Sequence, residues 1–129
     1  MSFWVIETFG VNIISNVYKN GKGIITFDGA LTSIGEYAFK NCNNMVSITL
    51  PNNLKTIGEQ AFYGCNSLAD INISKSVTKI GMDAFGYCTS LTNIVIPNNV
   101  TTIDTGVFKG CESLSNIIVE EGNSVYDSR

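Results

Sequence analysis

Apolar and polar positions recur along most of this chain with one fixed spacing. Aligned every 23 residues from Leu31, the sequence reads LTSIGEYAFKNCNNMVSITLPNN, LKTIGEQAFYGCNSLADINISKS, VTKIGMDAFGYCTSLTNIVIPNN and VTTIDTGVFKGCESLSNIIVEEG, with no insertion or deletion. Some columns stay apolar while their neighbours drift. Ile34, Ile57, Ile80 and Ile103 form one; Phe39, Phe62, Phe85 and Phe108 form another; Ile48, Ile71, Ile94 and Ile117 form a third. A unit this short cannot bury both of its own sides. Stacked copies can share one continuous core, so the spacing predicts a solenoid.

Each unit changes period half-way. Ala38, Phe39 and Cys42 are spaced as one face of a short helix or helical turn. In MVSITLP, Ile48 and Leu50 point inward and Thr49 outward, which is the period of a strand. Asn and Gly gather at the junctions, where turns need them. Gly35, Gly58 and Gly81 follow the first Ile column, where the backbone is expected to bend. Asp104 takes that place in the last copy, and Asp is among the few side chains that tolerate a left-handed backbone.

The pattern I-G-x-x-A-F-x-x-C-x-x-L-x-x-I-x-I-P stands here as IGEYAFKNCNNMVSITLP and IGMDAFGYCTSLTNIVIP. It resembles the BspA-like class of leucine-rich repeats, closely over residues 31–122 and in part over 24–30. The resemblance implies an α/β-type repeat solenoid with a parallel strand face and short helical segments. It also implies a bacterial (or protist) protein, cell-surface or secreted, that adheres to a protein partner, extracellular-matrix proteins such as fibronectin or fibrinogen among them.

The register extends upstream. In IITFDGA, Ile25 falls in the Ile48 column and Phe27 in the Leu50 column, so the solenoid is expected to span 24–122. Residues 1–23 read as an N-terminal cap. VNIISNVY, NGKG and IITF suggest a β-hairpin, with FWVIE as a further strand, covering Phe27, Leu31 and Ile34. Residues 123–129 read as the start of a truncated repeat or as a C-terminal tail, with Val125 and Tyr126 folding back over Leu114 and Ile117. Tyr126 falls where the next Ile column would begin, which favours truncation of a longer array. The other reading is that a second chain covers the end, so self-association through it is expected.

Composition narrows the function. Of 129 residues, 44% are apolar, enough for a sizeable core, and none is histidine. The commonest general base and the commonest metal ligand are therefore missing. A net charge of −3 with only 8 Lys+Arg does not suit nucleic acid. No apolar run approaches the roughly 18 residues of a membrane span, and MSFWVIETFG lacks the features of a secretory leader.

The four cysteines, Cys42, Cys65, Cys88 and Cys111, lie 23 apart, unlike the close pairs of zinc sites. Coils about 4.8 Å apart would keep their Cβ atoms beyond the usual 3.5–4.5 Å of a disulfide, so they are expected to be buried thiols. Glu36, Glu59, Asp83, Glu120 and Glu121 are scattered and form no catalytic pair or calcium loop. No catalytic, metal or cofactor site is expected. Asn72-Ile73-Ser74 and Asn99-Val100-Thr101 match the glycosylation acceptor pattern, which is common by chance.

What remains is the outward side of the strands. The candidate binding residues there are Thr49, Asp70, Asn72, Asn93, Val95, Asn116 and Ile118. The face is small, polar and mostly uncharged. Val95 and Ile118 depart from that pattern, either through the strand preference of β-branched residues or as a contact patch. The expected function is a non-catalytic binding and adhesion module. The alternative is a structural spacer with no ligand of its own.

Overall fold

The computed structural model describes residues 13–19 and 22–27, as backbone strands, and residues 31–126. The chain forms a parallel-strand solenoid that advances one coil per repeat. Strands β1 (Ile13–Lys19) and β2 (Lys22–Phe27) pair antiparallel as a hairpin at the N-terminal end, and β2 lies beside the first repeat strand. The expected strand FWVIE and the side chains of the hairpin, Phe27 included, lie outside the described residues.

Each repeat then contributes two strands. β4 (Ser47–Thr49), β6 (Asp70–Asn72), β8 (Asn93–Ile96) and β10 (Asn116–Val119) come from the alternating segment. β4 pairs with β6, and β8 with β10, parallel and in the register of the sequence columns: Ile48 faces Ile71, and Ile94 faces Ile117. A second parallel sheet was not foreseen. Its two-residue strands are β3 (Ser33–Ile34), β5 (Thr56–Ile57), β7 (Lys79–Ile80) and β9 (Thr102–Ile103), so the first Ile column is itself a strand column. Two residues are too few for alternation to show in the sequence.

The segments expected to be helical contain no helix. They are chains of turns, and the reason lies in the backbone. Tyr37, Asn41, Gln60, Gly64, Asp83, Tyr87, Gly106 and Gly110 all have φ between 52° and 73°, which places a left-handed residue at every fourth position of this segment. An α-helix cannot pass through such residues. The amides instead alternate in their partners. Ala38, Lys40 and Cys42 donate within the coil to Gly35, Tyr37 and Phe39 at 3.1–3.3 Å. Tyr37, Phe39 and Asn41 donate across to Glu59, Ala61 and Tyr63 of the next coil at 2.7–2.9 Å. The pattern repeats in the next two coils, so every second amide ties one coil to its neighbour.

Between these faces runs the core. Phe39, Phe62, Phe85 and Phe108 stack as a spine with centroid separations of 5.3, 5.3 and 6.0 Å. Such offset aromatic pairs contribute about 0.5–1.5 kcal/mol each beyond area burial. The cysteines sit beside them. Sγ of Cys65, Cys88 and Cys111 donates to the backbone carbonyls of Phe39, Phe62 and Phe85 at 3.0, 3.2 and 3.0 Å. Each thiol is therefore a small core residue that also links adjacent coils. Cys65 and Cys88 are fully buried, and Cys42 and Cys111 partly so.

Two local expectations are corrected. Gly58 and Gly81 are not left-handed, and neither is Asp104. The glycines are needed because coils approach there backbone to backbone: a Cβ on Gly81 would lie 2.7 Å from Glu59 N and 2.8 Å from Gly58 C. The C-terminal tail also takes a different path. Asn123 Nδ2 donates to the carbonyls of Pro97 and Val100, and Tyr126 OH accepts from Ile103 N–H at 3.0 Å. These residues stand in the columns of Val100 and Ile103, so the tail follows the repeat register instead of folding over Leu114 and Ile117. Val125 points to solvent, 55% exposed.

Candidate functional site

The seven candidate residues of the strand face all project to solvent. On β6 and β8 strand alternation places them there, because the neighbours Ile71, Ile94 and Ile96 are buried, whereas on β10 Ile117 is exposed along with Asn116 and Ile118. Thr49 lies opposite Asn72, Asn116 opposite Asn93, and Ile118 opposite Val95. Asp70 lies opposite Ser47. Hydrogen bonding joins them into two patches, one on β4–β6 and one on β8–β10, while β6 and β8 touch without sharing a ladder.

The two patches differ in chemistry. On β4–β6, Thr49 and Asn72 line a cleft of about 550 Å³ together with Asn52, Ser74 and Lys75. Ile48, Leu50 and Ile73 also line it, so the cleft combines polar and apolar walls. On β8–β10, Asn116 Nδ2 donates to Asn93 Oδ1 at 2.8 Å, and Asn93 Nδ2 in turn donates to Thr92 Oγ1 at 3.2 Å. The amides are thus ordered along the stack. Beside them Val95 and Ile118 are 43% and 48% exposed and form an apolar cross-strand pair. Apolar area held in water beside ordered amides is what a protein contact buries.

The face has little else to offer chemically. Among the described residues, no group of three His, Cys, Asp or Glu could hold a metal ion. Burial pushes the thiol of Cys88 up to about 12 and raises that of Cys65 as well, so neither is poised as a nucleophile. Among the described residues no helix is long and apolar enough to cross a membrane.

The comparisons with known proteins agree with the geometry. A leucine-rich repeat protein of Bacteroides capillosus is 28% identical over 81% of this chain and 91% of its own, with a TM-score of 0.65. A T. pallidum leucine-rich repeat protein is 25% identical over 86% of this chain and 68% of its own, at 0.61. A leucine rich cell surface protein of Faecalibacterium prausnitzii shares the fold at 24% identity and 0.55, over 87% of this chain and 41% of its own. No curated protein matches the sequence. The BspA type leucine rich repeat region matches residues 12–128 in six copies, and the chain belongs to that family.

Proposed function

We propose that this chain is a non-catalytic adhesion module of a bacterial surface or secreted protein, with residues 1–23 capping a solenoid whose strand face meets a host or cell-surface protein. One observation carries the reading: seven side chains on two parallel strand pairs, β4–β6 and β8–β10, face solvent, with the apolar pair Val95 and Ile118 exposed among them. The pair gives a partner area to desolvate, and the Asn93–Asn116 amides beside it give direction to the contact. Leucine-rich repeats commonly bind proteins, and the neighbour described as a cell surface protein supports the location.

Binding to immobilised fibronectin and fibrinogen tests the proposal. Val95→Lys and Ile118→Lys each place a charge in the apolar pair that a partner would desolvate and should weaken binding at least tenfold with no change in fold. Binding that survives both substitutions moves the contact off this face. A chain that binds neither protein nor any other cell-surface protein is a spacer, holding another domain by the same stack.

A further inference from the structure

The turn side of the coil, away from the strand face, carries a second surface of different chemistry. Asn41, Asn43, Asn66, Thr89, Tyr63 and Tyr87 line an open groove of about 400 Å³ that crosses successive coils. No side chain lining it is charged, and none is aliphatic. The two rings meet edge to face, with centroids 5.3 Å apart and planes at 67°. Tyr87 remains 41% exposed.

These walls are held in place. Each tyrosine leans over a glycine of the next coil: a Cβ on Gly86 would lie 2.8 Å from the Tyr63 ring, and one on Gly110 would lie 2.5 Å from that of Tyr87. Lys40 and Lys109 add ammonium groups 5.3 Å from the Tyr63 centroid and 6.0 Å from the Tyr87 centroid. With its amide oriented to satisfy both groups, Asn43 donates to the carbonyls of Gly64 at 3.0 Å and Asn41 at 3.3 Å. A ligand entering this groove meets little side-chain entropy still to be lost.

We propose that this groove is a binding site for a neutral glycan. The aromatic corner offers π faces, whose negative potential attracts the polarised C–H bonds on the flat side of a sugar ring as it attracts the edge of another ring. Side-chain amides and a threonine hydroxyl offer the paired donors and acceptors that sugar hydroxyls need. The lining residues carry no charge, the ammonium groups of Lys40 and Lys109 being engaged over the rings, and a peptide finds no apolar pocket for an anchoring side chain. The site spans three repeats, so it exists only in the stack.

The repeats themselves supply variants that preserve folding. Lys40 and Lys109 occupy the Tyr63 column, and Asn41 the Tyr87 column. Tyr63→Lys and Tyr87→Asn therefore remove a ring while keeping a residue the coil already accepts, and Asn suits the left-handed backbone at position 87. The full chain is tested against immobilised glucan, mannan and galactan oligosaccharides, a sulfated heparin-type oligosaccharide, and fibronectin. The expected result is retention on at least one neutral oligosaccharide, weakened at least tenfold by each variant and unchanged by Val95→Lys. No retention on any neutral oligosaccharide overturns the proposal, as does binding unmoved by both ring substitutions. Tyrosine-dependent binding confined to the sulfated glycan or to fibronectin overturns it too. Failure here leaves the strand-face reading to its own variants.

Discussion

The third and fourth repeats carry nearly the same motif and have different fates. Ile94 is 1% exposed, whereas Ile117, in the same column of the next coil, is 48% exposed. Phe85 and Leu91 are fully buried, and their counterparts Phe108 and Leu114 are only partly so. Nothing in the local sequence distinguishes the two sets. Among the described residues the third coil has a neighbour on each side, and the fourth is followed by only the Asn123–Tyr126 turn. Core membership in this protein is a property of the stack, conferred by the next coil, and a residue's own hydrophobicity only makes it eligible.

The sharpest test of that difference is a matched pair of truncations. Phe62→Ala removes the ring between two stacked partners and should cost about 3–5 kcal/mol, as large-to-small changes in a close-packed core do. Phe108→Ala removes a ring stacked on one side only and should cost about half as much. Denaturant unfolding measures both, and equal losses would mean that the last coil is packed as tightly as the others. A backbone substitution comes next. Gly64 has φ +73°, and a Cβ there would run into Asn41 Oδ1, so Gly64→Ala should cost about 1–3 kcal/mol. Gly122, also left-handed at +91° but with only Asn98 Nδ2 near, at 3.8 Å, should lose less on the same change. A thermal melt of each variant separates the two costs.

The cysteines give the gentlest probe. Burial, followed by the nearby thiols, raises Cys65 and Cys88 above the ordinary 9.0, with Cys88 at about 12. The folded state therefore holds protons that the unfolded chain releases. Stability from this source is complete below about pH 9 and declines as pH rises toward 12. Replacing both with alanine should flatten the alkaline limb of a stability–pH curve, after allowance for the lost packing. Under native conditions a thiol reagent followed by mass spectrometry should mark Cys42 and Cys111 before Cys65 and Cys88. Equal labelling rates would show that the middle coils open as readily as the ends.

The repeat itself made much of the fold legible. Every Phe, Cys and Ile column could be assigned to the interior from recurrence alone, and the seven strand-face residues could be assigned outward from alternation. What escaped was information that recurrence does not carry. Tyr37, Gln60 and Tyr87 adopt left-handed backbone although neither residue type prefers it. Inter-coil bonds impose that conformation, and those bonds link residues 22 apart, beyond any local propensity. The short sheet β3–β5–β7–β9 was hidden for the same reason. The turn-face groove was hidden differently, because Tyr63 and Tyr87 belong to different columns and meet only through the offset of adjacent coils. The one available signal was a glycine in the following copy beneath each ring, at Gly86 and Gly110.

The alternating amide bonds have a mechanical consequence. They run along the stack axis while the chain winds across it, so a pull between the two ends loads them lengthwise and one coil at a time. Detaching a coil of 23 residues releases roughly 76–83 Å of slack. Fastened at one end and loaded at the other, the array would lengthen in steps and absorb a tug coil by coil, with the coils still wound keeping their surfaces on display.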